Sequence, residues 1–204
     1  MANILSIQSS INGSQSISRQ LSEQIIEQIQ NAHPGSAVKQ RDLSVTPAPH
    51  LEATQFYALR TPEQDRTAAQ TEAASHSYEL INELLEAGTI VIGVPFYNFH
   101  IPSTLKSWLD HLTVPGKTFT YKNGQGVPEG LIKNKKVYLA IAMGGVYSTT
   151  EMKALDNTEP YLRSFLGFLG ITDITVFRAE GVGVPALREK NLDDTKHAIA
   201  AFAY

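Results

Sequence analysis

The sequence predicts an α/β protein, a sandwich of three layers in which helices cover both faces of a parallel sheet. Five short runs of β-forming residues recur along the 204 residues, and each is followed by a segment with helical spacing. One run, TIVIGV at Thr89–Val94, is apolar throughout, which is typical of a strand buried on both faces of a parallel sheet. Since a chain of this length can bury one core, we expect a single domain of residues 1–204.

Five strands with helical connections most simply form a parallel sheet of order 2-1-3-4-5, the flavodoxin-like arrangement. Ligands of such sheets bind beyond the carboxyl ends of the strands, where the strand order reverses, here between strands one and three. The loops to consider are therefore Ser9–Ser16, Pro95–Ile101 and Met143–Ser148. The predicted strands are Asn3–Gln8, Ala37–Arg41, Thr89–Val94, Val137–Met143 and Ile171–Phe177.

Capping signals and apolar spacing predict the helices between these strands. Thr61 and Gln64 form a potential capping box, which indicates a helix start. Gly170 stands where a glycine commonly ends a helix, and Asn123-Gly124 suggests a tight hairpin turn. The predicted helices are one containing Ile17–Ile29, Thr61–Gly88, one beginning at Pro102, Thr158–Leu169 and Leu187–Ala203.

The composition argues against several classes of function. Lysine and arginine number 17 against 20 aspartates and glutamates, and this net charge of −3 disfavours an electrostatic surface for nucleic acid or an acidic membrane. The absence of cysteine excludes disulfides, iron–sulfur clusters and thiol catalysis. No apolar run approaches the ~18 residues of a membrane span, and the first ten residues do not resemble a signal peptide. We therefore expect a soluble, cytoplasmic protein.

The loop Ser9–Ser16 reads SSINGSQS and leads directly into the first predicted helix. Free backbone N–H groups, the positive end of the helix and several hydroxyls together favour a phosphate. No Gly-Lys-Ser/Thr follows Gly13, so the loop is not a Walker A motif. Hydroxyls without a lysine suit a monophosphate, and the alternative is that the serines and the asparagine only cap the helix.

Two further loops carry unusual residues at the same predicted edge. The aromatic rings of the segment Phe96-Tyr97-Asn98-Phe99 could pack against a planar heterocycle. The Asn98 amide could form hydrogen bonds with the edge of that ring system. Gly144-Gly145 would let backbone N–H groups approach a ligand closely. The alternatives are an aromatic packed under its own helix and an ordinary strand-to-helix turn.

The remaining motifs give weaker signals. The six histidines show no metal-binding spacing, so we expect no metal site. No G-x-S-x-G sequence is present, which disfavours a serine hydrolase. The segment Gly181–Ala186 loosely matches a dinucleotide motif, but Pro185 interrupts it and we expect a turn there.

The segment Pro95–Tyr121, PFYNFHIPSTLKSWLDHLTVPGKTFTY, resembles the signature of the bacterial FMN-dependent NADH-azoreductases. That signature reads P-M-Y-N-F-x-I-P-x-x-L-K-x-W-x-D followed by G-x-T-F-x-Y. The resemblance implies a flavodoxin-like homodimer with one FMN per subunit, which reduces quinones and azo compounds with NADH or NADPH by two-electron ping-pong turnover. It continues through Glu129–Leu131, Lys135-Lys136, Gly144-Gly145, Pro160–Leu162 and Phe165–Ile171.

The same resemblance assigns roles to particular residues. Ser10 and Ser14-Gln15-Ser16 should hold the FMN phosphate, and Phe96-Tyr97-Asn98-Phe99 should line the isoalloxazine. Ala142-Met143-Gly144-Gly145 aligns with a family Ser-Arg-Gly-Gly segment, so backbone contacts of the glycines are retained and polar contacts of the first two side chains are not. Val114 stands where relatives often carry arginine.

No side chain is expected to be catalytic, because a flavin carries the redox chemistry. The apolar helix at Tyr161–Leu169 also suggests a subunit interface. Two other functions stay open from the sequence: a flavodoxin-type FMN electron carrier without its own NADH-dependent activity, and a binding module without flavin.

Overall fold

A computed structural model describes residues 3–121, 126–149 and 151–204 of the chain. Its strands are β1 (Ile4–Gln8), β2 (Val38–Asp42), β3 (Thr89–Pro95), β4 (Phe119–Thr120), β5 (Glu129–Gly130), β6 (Lys136–Ala142) and β7 (Asp173–Ala179). Five of them form a parallel sheet in the order β2-β1-β3-β6-β7, which confirms the predicted order 2-1-3-4-5. The other two, β4 and β5, pair antiparallel outside this sheet.

In the part of the chain that the structure describes, six helices and three short 3-10 turns accompany the strands. Within the described ranges, no helix is long and apolar enough to cross a membrane. The helices are α1 (Ile17–Ala32), α2 (Ala53–Arg60), α3 (Ala68–Glu86), α4 (Ser103–His111), α5 (Thr158–Leu169) and α6 (Pro185–Ala201), and the 3-10 turns are Gly13–Gln15, Glu63–Asp65 and Glu151–Leu155.

The sheet separates two hydrophobic cores, as a three-layer sandwich requires. Along β3, Ile90 and Ile92 belong to the core formed with α3, α4 and α5, whereas Val91 belongs to the core formed with α1 and α6. Because side chains alternate between the faces of a strand, this division explains why the predicted run is apolar at every position. The predicted strand buried on both faces is therefore confirmed.

The predicted helix start at Thr61 is wrong. Thr61 instead ends α2, a helix that was not predicted, and the Thr61 N–H group donates to the Tyr57 carbonyl at 3.0 Å. The capping box forms six residues later, where Thr67 Oγ1 accepts from the Gln70 N–H group and Gln70 Oε1 accepts from the Thr67 N–H group. The same pattern of residues occurs twice, and the second copy begins α3.

The helix Thr158–Leu169 agrees with its prediction to the residue. Gly170 follows it in the left-handed conformation, with a φ of 98°. The Ile171 N–H group donates to the Leu166 carbonyl at 2.9 Å, so Ile171 closes the helix end and the last strand begins two residues later than predicted. The predicted hairpin turn at Asn123-Gly124 lies outside the described residues.

Candidate functional site

A cavity of about 670 Å³ opens at the carboxyl edge of the sheet, around the ends of β1, β3, β6 and β7. Its position is the one that the reversal of strand order predicts. Four of the residues singled out from the sequence, Asn98, Phe99, Met143 and Gly145, are not among those that line it. Eight of those residues do line it, namely Ser10, Ser14, Gln15, Ser16, Phe96, Tyr97, Ala142 and Gly144.

One end of the cavity consists of hydroxyls and backbone donors at the start of α1. Ser16 is the N-cap of this helix, and its Oγ accepts from the Arg19 N–H group at 3.3 Å and lies 3.0 Å from Ser18 Oγ. The N–H groups of Ile17 and Ser18 have no acceptor among the described residues. The positive end of the α1 dipole and these free donors make this end of the cavity suited to an anion.

Arg19 holds the loop before α1 from its outer side. Its Nε donates to the Gly13 carbonyl at 3.1 Å, and its guanidinium forms an ion pair with Asp42 at the end of β2. Burial alone would raise the pKa of Asp42, but hydrogen bonds from Ser44 and Arg19 lower it overall. The ionised Asp42 therefore holds the Arg19 guanidinium in an ion pair, and Arg19 does not line the cavity.

Aromatic side chains form the opposite wall. The Tyr97 hydroxyl lies 3.2 Å from Ser10 Oγ, which joins this wall to the loop after β1. The ring of Phe96 packs 4.6 Å from that of Tyr147, measured between centroids. Ser9 Oγ donates to the Gly93 carbonyl at 2.8 Å, so the ends of β1 and β3 are tied together beneath the cavity.

Asn98 and Phe99 lie in a tight turn at the outer rim. Tyr97 and His100 exchange backbone hydrogen bonds of 2.9 and 3.0 Å, and the two residues between them have positive φ angles of 49° and 69°. Asparagine tolerates this conformation, whereas phenylalanine rarely adopts it. Both side chains are exposed, and their predicted role at a ring edge stays a prediction.

The loop after β6 contributes backbone rather than side chains. The N–H groups of Gly144 and Gly145 have no acceptor within the described part of the chain. A Cβ at Gly144 would meet no protein atom within 4 Å, so this backbone faces open space. Met143 is fully buried, and so is Val114, so neither of these departures from the family pattern presents its side chain to the cavity.

The segment after β7 also contributes to the site, which its sequence did not indicate. Gly181–Ala186 contains the expected turn, but Val182 and Gly183 also line the cavity, as does Arg188 in the first turn of α6. Gly183 donates from its N–H group to the Gly144 carbonyl at 2.9 Å, and a Cβ at Gly183 would lie 3.0 Å from that carbonyl oxygen. The close approach of the two loops therefore explains why a glycine stands at position 183.

Glu180 fixes the loop that follows Gly144 and Gly145. Its Oε2 accepts from the N–H groups of Tyr147 and Ser148, both at 3.0 Å, and from Ser148 Oγ at 2.9 Å. Its Oε1 accepts from Arg178 at 2.6 Å, and Arg178 also pairs with Asp156 and Glu159. Burial alone would raise the pKa of Glu180, but these hydrogen bonds lower it overall.

The family model and the similar proteins that the chain matches agree with one another. The chain matches, over residues 2–203, the model of a family described by its flavodoxin-like fold. It is 41% identical to FMN-dependent NADH:quinone oxidoreductase 2 of Pseudomonas fluorescens, over 100% of both chains. It is 46% identical to the FMN-dependent NADH:quinone oxidoreductase of Azospirillum brasilense, over 98% of this chain and 97% of the relative.

A solved structure supports the same relationship. The azoreductase of Bacillus anthracis superimposes with a TM-score of 0.90 at 28% identity, and the match covers 98% of this chain and 97% of that one. No group of histidine, aspartate or glutamate side chains that could hold a metal ion occurs among residues 3–121, 126–149 and 151–204.

The Glu180 interactions predict a pH-dependent loss of stability in Glu180→Gln. The uncharged side chain weakens the hydrogen bonds to the loop and to Arg178, and we expect the free energy of unfolding to fall by about 1–3 kcal/mol at neutral pH. Because the pKa of Glu180 is lowered on folding, its contribution is present above about 4.5, the pKa of a free glutamate, and is lost as the pH falls through the folded pKa.

Chemical denaturation of wild type and variant at several pH values measures this difference. Glu189→Gln makes the same chemical change on the exposed face of α6 and should alter stability by less than about 0.5 kcal/mol. Equal stability of Glu180→Gln and wild type at neutral pH, or a difference that persists undiminished in acid, would contradict the prediction.

Proposed function

The chain belongs to the family described by the flavodoxin-like fold, and from that premise we propose that it is an FMN-dependent NADH:quinone oxidoreductase that also reduces aromatic azo compounds. The observation that carries the proposal is the cavity at the carboxyl edge of the sheet, which has an anion-binding end and an aromatic end. A flavin mononucleotide has the same division, with a phosphate at one end and a planar ring system at the other. The names of the relatives support the same cofactor and reaction.

The residues present fit FMN better than FAD. Ser10, Ser14 and Ser16 line the same cavity as the start of α1, whose free N–H groups are suited to a terminal phosphate. The open space over Gly144 would accept the ring system, since a side chain there would extend into it. A volume of about 670 Å³ lies within the usual range of ~300–1,000 Å³ for small-molecule sites.

FMN, when bound, supplies the hydride chemistry between NADH and the quinone or azo substrate. The protein's part is to bind and orient. In our proposal Phe96 and Tyr97 pack against the ring system, with Asn98 and Phe99 at its outer rim. The N–H groups of Gly144 and Gly145 would donate to the carbonyl edge of the ring, where negative charge develops on reduction.

The alternative of an FMN electron carrier is not favoured, because the relatives are named as oxidoreductases that use NADH.

Use of NADH also leads us to propose that the protein is located in the cytoplasm, where this donor is generated. Cell fractionation would test this location. No side chain is needed as an acid or base in this proposal, since FMN would supply the hydride chemistry and water can supply protons.

Anaerobic titration of the FMN-loaded protein with NADH tests the function directly. We expect equimolar NADH to bleach the absorbance of the bound flavin, and equimolar menadione, used as the quinone, to restore it. NADPH is titrated in parallel to establish the preferred donor. If NADH leaves the flavin oxidised while dithionite reduces it, the protein is an electron carrier and the proposed function is wrong.

Replacement of Ser16 by aspartate tests the phosphate end. Aspartate caps a helix as well as serine does, so the fold should survive, but its carboxylate would repel a phosphate. A like charge at short range costs about 1–4 kcal/mol, so we expect FMN affinity to fall at least fivefold.

Quenching of flavin fluorescence on binding to the apoprotein measures this affinity. Ser16→Asn is the matched control, because it caps the helix without a charge and should bind FMN more tightly than Ser16→Asp. Equal FMN affinity of the two variants would remove Ser16 from the phosphate site.

We also propose a homodimer, in which exposed aromatic side chains are covered by a second subunit. Tyr121 is 58% exposed and Phe99 is 44% exposed, and the half-buried Tyr161 on α5 packs 5.0 Å from the ring of His100. A second subunit would remove these rings from water, which favours association. Sedimentation velocity at micromolar concentration should give a single dimer boundary, and a fully active monomer would contradict this assembly.

A further inference from the structure

Arg188 is the single charged side chain among the residues that line the cavity, as far as the structure describes the chain. The other lining residues at the α1 end carry hydroxyls, amides or backbone donors. We propose that Arg188 is the cation that balances the charge of the FMN phosphate. This inference rests on the proposed function. The loop before α1 contains no lysine or arginine that could supply it.

The packing of α6 against α1 brings Arg188 to the phosphate end. Gln24 Nε2 on α1 donates to the Lys196 carbonyl on α6 at 3.0 Å. Both helices begin at the carboxyl edge of the parallel sheet, so they run in the same direction. Eight residues before this contact, about 12 Å towards that edge, lie Ser16 on α1 and Arg188 on α6.

The spacing along α6 directs the arginine towards α1. Arg188, Leu192 and Lys196 follow each other at four-residue intervals and therefore share a face of the helix. Leu192 packs against the core that α1 and α6 cover together. Arg188 lies one turn before Leu192 on this face, which accounts for its place in the lining of the cavity beside Ile17 and Gln20.

The Arg188 side chain is free to bind a phosphate, whereas that of Arg19, the arginine near the loop before α1, is not. Arg19 is held by the Gly13 carbonyl and by Asp42. Arg188 has neither an ion pair nor a side-chain hydrogen bond with any residue in the described ranges, and it is exposed. A phosphate monoester carries a charge of about −1.5 to −2 at neutral pH, which neutral hydroxyls and N–H groups solvate but do not balance. A guanidinium can contribute two parallel hydrogen bonds as well as charge.

Binding of FMN and of riboflavin to the apoprotein, measured by quenching of flavin fluorescence, tests this role. Riboflavin has the same ring and ribityl chain as FMN but no phosphate. Arg188→Gln should weaken FMN binding about tenfold and leave riboflavin binding within about twofold of wild type. Arg188→Lys keeps the charge and should recover part of the loss. FMN affinity of the wild type should also fall more steeply with added salt than that of Arg188→Gln.

Lys190→Gln is the matched control, since it removes the same charge from the same helix at an exposed residue that pairs with Asp194. Its affinities for FMN and riboflavin should equal those of wild type. Unchanged FMN binding in Arg188→Gln, or equal losses for FMN and riboflavin, would overturn the inference, while FMN binding by the wild type would leave the proposed function to be decided by the NADH titration. A wild-type protein that binds neither flavin would overturn both.

Discussion

The free N–H groups in the first turn of α1 are the feature on which the rest of the site depends. They are available because α1 begins immediately beyond β1, at the point where the sheet reverses its strand order. The apolar residues Leu21, Ile25 and Ile29 pack the helix against the sheet and fix where this end lies. The helix can approach β3 closely because Gly93 has no side chain, and a Cβ there would lie 3.2 Å from the Ser18 carbonyl oxygen of α1.

Polar contacts between loops also hold the other walls of the cavity. Ser9 ties the end of β1 to β3, and Glu180 binds the loop after β6 through its backbone N–H groups. The side chains of Ser9 and Glu180 are buried and paired, so the loops are ordered around a cavity without filling it. The protein thereby presents donors and rings in fixed positions, which is what a cofactor that carries its own chemistry requires.

The sheet and its strand order followed from the sequence because apolar runs and helical stripes are local patterns. The helix α2 was missed, since only Ala58 and Leu59 of it are buried and its position depends on packing against α3. Arg188 was missed for a related reason: it lies 172 residues from Ser16 in the sequence, and the contact between α1 and α6 places both in the lining of one cavity. The serines and aromatics of the site were predictable because each set follows directly after a strand.

Hydrogen–deuterium exchange of the apoprotein with and without FMN tests most directly whether this cavity is the cofactor site. Bound FMN should slow exchange in the segments that surround the cavity, residues 10–20, 95–101, 142–148 and 181–188. The far ends of α3 and α5 should exchange at the same rate in both states. Protection confined to other parts of the chain, or no protection at saturating FMN, would contradict the account.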